Sequence, residues 1–194
     1  MIPDSIAVSR DPPVLIVPGI GNSGPSHWQT LWEQRHPLWR RALQRDWDHP
    51  VCDEWVTALD AVIAGFPDPP VLIAHSIGCL AVAHWTCRSS VPVKAAFLAA
   101  VPDPDGPNFP ATAQGFQPVP LKQFPFPSLV VASADDPFGS VNHARRCAAA
   151  WGAAFVEIGS AGHINVESGH GEWPAGWKLL DRLLRSVEFV DRPR

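Results

Sequence analysis

The segment Pro69-Pro70-Val71-Leu72-Ile73-Ala74-His75-Ser76-Ile77-Gly78-Cys79-Leu80 constrains this chain more than any other stretch. Two prolines end whatever precedes it, since neither donates a backbone N–H and each restricts the residue before it. Val71 to Ala74 then run apolar for the length of a strand, and Leu80, Ala81, Val82, Ala83 and Trp85 continue as a buried helix. A strand that becomes a helix across His75-Ser76-Ile77 has to turn sharply at the serine. Strand, tight turn, serine and helix form the setting in which a G-x-S-x-G pattern presents a nucleophile. Here the pattern reads Ala74-x-Ser76-x-Gly78, with alanine in the first small position. A serine that merely completes the turn satisfies the same five residues, so its partners decide between the two readings.

The rest of the chain alternates strands with helices. Val14 to Val17, followed by Pro18-Gly19, reads as a central parallel strand, because an uninterrupted apolar run suits burial on both faces. A glycine-rich loop, Gly19 to Gly24, leads to Ser26-His27-Trp28-Gln29, which has the form of a capping box with Ser26 as the cap. Ala42 to Trp47 alternates as a short strand would, and Asp53 can cap a helix with Trp55, Leu59, Val62 and Ile63 inward. Further strands are expected at Val93–Val101, Ser128–Ala132 and Ala154–Ile158. Helices are expected from Ser140 to Trp151 and from Ala175 to Val187. Six strands alternating with helices predict an α/β chain with a six-stranded parallel sheet, helices on both faces and strand order 2-1-3-4-5-6. At 194 residues, with no internal repeat, one domain covering 1–194 is expected, residues 1–12 being a flexible N-terminal segment.

A serine hydroxyl needs a base within hydrogen-bond reach, and the base needs an acid to orient it. Working residues of parallel sheets gather at the C-terminal ends of strands. Ser76 follows the third strand, Asp135-Asp136 the fifth and His163 the sixth. The order Ser…Asp…His is that of α/β hydrolases. Asp136 is favoured over Asp135 because Pro137 sets the turn after it. His163, beside Gly162 and close to the strand end, is favoured over His170. His75 adjoins the nucleophile on the turn itself and is read as a packed, hydrogen-bonding histidine. The backbone N–H of Ile77 is one expected oxyanion donor. The N–H of Ile20 is the other, since the expected strand order sets the Gly19-Ile20-Gly21 loop beside Ser76.

Residues 102–127, dense in proline and carrying Gly106, Gly115 and four phenylalanines, predict a long loop that walls the site. Gly21, Trp28 and Phe109 are the expected substrate contacts, and no room remains for a separate cap domain. The remaining histidines lack metal-ligand spacing, and neither G-x-G-x-x-G nor G-x-x-x-x-G-K-[ST] occurs, so neither a metal nor a cofactor is expected. A net charge of −4 and scattered Lys and Arg, including the Arg40-Arg41 doublet read as a solvated face, speak against nucleic acid as a partner. Met1 to Pro13 shows no leader-like apolar core, and the apolar run Ala95–Val101 is too short to span a bilayer. Four cysteines at irregular spacing suit reduced packing residues and a cytoplasmic location.

Taken together, Val17-Pro18-Gly19, His75-Ser76-x-Gly78, Ala134-Asp135-Asp136-Pro137-Phe138 and Gly162-His163-Ile164-Asn165 resemble the small serine hydrolase family of retinoblastoma-binding protein 9 and bacterial YdeN. Ser26-His27-Trp28 and the stretch from Asn165 to Pro174 resemble its bacterial members. The resemblance covers nearly the whole chain and implies a compact α/β-hydrolase fold with a Ser76, Asp136 and His163 triad. The expected function is hydrolysis of small ester or related acyl substrates through an acyl-enzyme. The family usually has glycine where Ala74 stands, a difference of one methyl. A Leu-x-Cys-x-Glu motif for retinoblastoma-protein binding is missing. The competing reading is a protein-binding module on a hydrolase scaffold with weak or vestigial catalysis.

Overall fold

A computed structural model describes the backbone of residues 12–190, with the side chains of 188–190 excepted; the expected flexible segment 1–12 lies almost wholly outside it. Six parallel strands form one sheet in the order β2-β1-β3-β4-β5-β6. They are β1 (Val14–Val17), β2 (Arg40–Arg41), β3 (Val71–His75), β4 (Ala95–Ala99), β5 (Ser128–Ala132) and β6 (Ala154–Glu157). The helices are α1 (Trp28–Gln34), α2 (Cys52–Ala64), α3 (Ile77–Thr86), α4 (Val141–Trp151) and α5 (Pro174–Val190). Every residue of β1, β3, β4 and β5 is buried, which is why these strands read as continuous apolar runs and not as alternating ones.

Alternate strand residues feed two cores. Leu15, Val17, Leu72, Ala74, Leu98 and Val130 pack under α2, α3 and α4. Val14, Ile16, Ile73, Phe97 and Val131 pack under α1 and α5, with Trp28, Trp32 and Trp173. Each fully buried Leu, Ile, Val or Phe contributes about 1.5–3 kcal/mol, so both faces hold the sheet in place. All ten residues of α3 are buried, so the helix behind the serine is as enclosed as the central strands.

Three local expectations change. The second strand is Arg40–Arg41, paired with Leu15 and Ile16, and not 42–47. Residues 42–45 do alternate in burial, but Ala42 makes the last sheet contact, through its N–H to the Ile16 carbonyl at 2.9 Å. Beyond it the chain curls into a turn in which Asp46 Oδ1 accepts from the N–H groups of Asp48 and His49. Alternation there records an extended edge segment that, among the described residues, no further strand pairs with. The cap of α1 is His27, whose Nδ1 accepts from Gln29 N–H, and not Ser26. Helix α2 begins at Cys52 with Val51 in the cap position, so Asp53 sits in the first turn, where it faces the helix dipole and pairs with Arg88.

Candidate active site

Ser76 occupies the single residue between β3 and α3, at φ 55° and ψ −130°. A non-glycine residue at such a positive φ is strained, and the surrounding bonds enforce it. Ser76 N–H donates to the Ala99 carbonyl at 3.0 Å, and its own carbonyl accepts from Cys79 N–H at 2.8 Å. The glycine two residues later has no alternative. A Cβ at Gly78 would stand 2.5 Å from the Val17 carbonyl oxygen and 2.6 Å from that of Pro18. The start of α3 therefore presses directly on the end of β1. At the other small position the methyl of Ala74 is buried without exposure, in register with Val17 and Leu98.

His163 and Asp136 meet Ser76 across the ends of β5 and β6. The Ser76 hydroxyl lies 2.8 Å from His163 Nε2, and His163 Nδ1 lies 2.9 and 3.0 Å from the two oxygens of Asp136. The Asp136 side chain is 2% exposed, and its Oδ1 also accepts from Phe138 N–H at 2.9 Å. Asp135 points away from the histidine. Its Oδ1 accepts from the Ser133 hydroxyl and from Gly162 N–H, both at 2.8 Å, so it secures the loop that carries His163. These donors hold its carboxyl below the usual range, the Ser133 hydroxyl most of all. His170 bonds Ser168, at 3.2 Å, and lies outside the chain of contacts to Ser76.

The backbone of His163 is pinned from two sides. Buried His75 bonds the His163 carbonyl through Nε2 at 2.9 Å, and Trp28 Nε1–H donates to the Ile164 carbonyl at 2.9 Å. Ile164 itself takes φ 49° and is fully buried. Burial pushes His75 well below the ordinary imidazole range, with His163 and His27 adding to the effect, so it stays neutral.

A cleft of about 420 Å³ opens over the serine, lined by Ile20, Gly21, Phe109, Phe138 and Val166 among others. Ile77 opens α3 at the serine. Gly19, one residue before Ile20, lies close enough that a Cβ there would be 2.9 Å from Ser76 Cβ. Both expected oxyanion donors thus belong to segments that border Ser76. Of the three expected substrate contacts, Gly21 and Phe109 line the cleft, whereas Trp28 does not: it is fully buried and supports the His163 loop from below. The 102–127 loop supplies Pro102, Phe109 and Pro110 to the wall, and roots itself in the core through Phe116, Phe124 and Phe126.

Two residues that hold the Ile20 loop were not legible in the sequence. Gln29, wholly buried, donates from Nε2 to the Val17 and Ile73 carbonyls, while its Oε1 accepts from the Ser23 hydroxyl at 2.6 Å. Arg41, whose side chain is 12% exposed, donates to the carbonyl and side-chain oxygens of Asn22, to Thr30 and to Glu33. The Arg40-Arg41 doublet is thus not a solvated face, since its second member is a largely enclosed clamp. Among the described residues no group of three or more His, Cys, Asp or Glu side chains could hold a metal ion.

A doubly wound parallel sheet with a serine on the strained turn after its third strand defines an α/β hydrolase. The chain belongs to the serine hydrolase family, whose family profile matches residues 14–182. It is similar to a solved YdeN-like hydrolase from Pectobacterium atrosepticum, with 33% identity over 91% of this chain and 92% of that one, at a TM-score of 0.79. The ydeN gene product of B. subtilis is 19% identical over 90% of this chain and 99% of that one, with a TM-score of 0.72. A thermophilic esterase from Thermogutta terrifontis shares the fold at 16% identity and a TM-score of 0.68, over 91% of this chain and 90% of that one. No functionally curated protein matches the chain in sequence. The likeness to YdeN-type hydrolases read from the motifs therefore holds across most of the chain.

Proposed function

We propose that Ser76, His163 and Asp136 act as nucleophile, general base and orienting acid in the hydrolysis of small, neutral acyl esters. The observation that carries this reading is the continuous contact from Ser76 Oγ to His163 Nε2 and from His163 Nδ1 to Asp136, at 2.8 to 3.0 Å. His163 takes the hydroxyl proton as Ser76 Oγ adds to the carbonyl carbon, and Asp136 stabilises the imidazolium and its tautomer. The Ile77 and Ile20 N–H groups receive the oxyanion. Collapse breaks the ester C–O bond, and the imidazolium returns its proton to the leaving alkoxide. Water, deprotonated by His163, then attacks the acyl carbon; the bond to Ser76 Oγ breaks, the imidazolium returns its proton to Oγ, and the acid leaves. The small cleft, with apolar Ile20, Phe109, Phe138 and Val166 on its walls, supports a short acyl chain. Four free cysteines, three of them buried, support a reducing, cytoplasmic setting. Among the described residues no helix is long and apolar enough to cross a membrane.

The test is a panel of p-nitrophenyl esters of increasing chain length, together with labelling by a fluorophosphonate probe. Wild type should label and turn over the shorter esters, and Ser76→Ala should do neither. Full activity and full labelling in Ser76→Ala would refute the assignment. A wild type that neither labels nor turns over any ester would favour the binding-module reading.

A further inference from the structure

Of the polar groups that line the cleft and that the steps above leave idle, one is buried without a hydrogen-bond partner among the described residues. His27 is 5% exposed, and its ring forms part of the cleft wall together with Ser76 and His163. Its Nδ1 accepts from Gln29 N–H at 3.2 Å, which fixes the tautomer with the proton on Nε2. That buried Nε2 has no hydrogen-bond partner among the described residues. The ring packs edge-on against His75 with centroids 4.7 Å apart, and His75 in turn lies 4.9 Å from His163, so His27 belongs to the layer that surrounds the reacting centre. A buried donor without an acceptor is unfavourable, and a bound acceptor removes that cost. We infer that His27 is a specificity-determining residue, whose Nε2–H donates to an oxygen of the substrate other than its scissile carbonyl.

The acceptor is neutral, an ether, hydroxyl or second carbonyl oxygen. Glu167 lines the cleft and, among the described residues, no Lys or Arg does. Arg41, whose charge bears on His27, is already paired with Glu33. Burial, assisted by Arg41 and His163, lowers the His27 pKa to about 4, so the ring acts as a neutral donor and not as a cation. A site built to bond an oxygen discriminates against the analogue that lacks it, because the donor is then left unmade. The substrate class is therefore a short acyl ester with one further oxygen beside the reacting group.

This inference rests on Ser76 being the nucleophile. The experiment compares isosteric ester pairs in wild type and His27→Asn. Asparagine still caps α1, but it ends short of the Nε2 position. One pair places the oxygen on the acyl side, p-nitrophenyl methoxyacetate against p-nitrophenyl butyrate. The other places it on the alcohol side, 2-methoxyethyl butyrate against butyl butyrate. In one of the two pairs the kcat/KM ratio of oxygenated to all-carbon ester should fall about tenfold in the variant, the worth of one buried hydrogen bond; unchanged ratios in both pairs overturn the inference. A measurement on the unsubstituted protein guards against a variant that does not fold. The His27 Nε2–H resonance should move downfield with methoxymethylboronic acid or 2-methoxyethanol, and not with n-propylboronic acid or butan-1-ol. Its failure to distinguish the two kinds of ligand overturns the inference as well. Failure of the underlying reading looks different: an unlabelled wild type refutes both, whereas a labelled wild type with unchanged ratios refutes only the role of His27.

Discussion

Gly78→Ala tests whether the contact between α3 and the end of β1 sets the geometry of the reacting centre. The new Cβ would meet the Val17 carbonyl oxygen at 2.5 Å and the Pro18 carbonyl oxygen at 2.6 Å. Ordinary contact at a Cβ begins at 3.4 Å, so the two elements must separate by roughly 0.8–0.9 Å, and neither partner is a flexible side-chain end that could yield. Overpacking of this kind costs about 1–3 kcal/mol. For a chain of this size a loss of about 2 kcal/mol lowers Tm by roughly 4–8 °C. The separation also moves Val17, whose carbonyl accepts from Gln29 at 3.2 Å, and with it the Gly19–Asn22 loop. Displacing one oxyanion donor lowers kcat by about 10²–10³-fold, so a fall of at least 100-fold is expected. Calorimetry and p-nitrophenyl butyrate turnover measure the two effects. Gly65→Ala is the control, because a Cβ there meets nothing closer than 3.5 Å. A Gly78→Ala protein with wild-type Tm would refute the packing argument. One that melts early but keeps its kcat would show that the contact does not position the Ile20 loop.

Asp136→Asn should lose about four orders of magnitude in kcat, as expected when the orienting carboxylate of a triad is neutralised. Asp135→Asn should lose little, since its amide oxygen can still accept from Gly162 N–H; kinetics showing the reverse would exchange the two roles. Stability should fall as the pH is lowered from 6.5 towards 4. Burial takes His27 from 6.5 down to about 4, so in that window the unfolded chain binds the proton first, and the contribution is complete only above 6.5. This single group amounts to about 3 kcal/mol at most, and His75, His84 and His143, also lowered chiefly by burial, act with the same sign. Urea unfolding at pH 7 and pH 5 measures it, and equal midpoints would contradict the neutral, buried state of these rings.

The elements were legible because their signals are local. Apolar runs marked the four central strands, Ser140 marked the start of α4, which it caps, and the order of residue types at strand ends brought Ser76, Asp136 and His163 to one place. The misreadings share a cause. Ala42–Trp47 alternates as a strand does, but among the described residues no neighbouring strand pairs with it. Trp28 sits close in sequence to the Ile20 loop, yet its indole reaches Ile164, 136 residues away. His27 and Gln29 lie in a stretch read as a capping box, and Arg41 in a doublet read as a solvated face, so no motif pointed to the parts they take. What each does depends on which backbone carbonyl, loop or cleft lies at the end of its side chain.

The sequence by itself determined the layered architecture, the strand order and the strand ends at which Ser76, Asp136 and His163 meet, because periodicity and strand-end position follow from the rules by which strands and helices pack. Only the tertiary structure decided which histidine nitrogen is left without a partner among the described residues, which tryptophan supports the His163 loop and which arginine clamps the Ile20 loop. Those outcomes depend on distances between segments far apart in the chain, and such distances are set only once both faces of the sheet have closed.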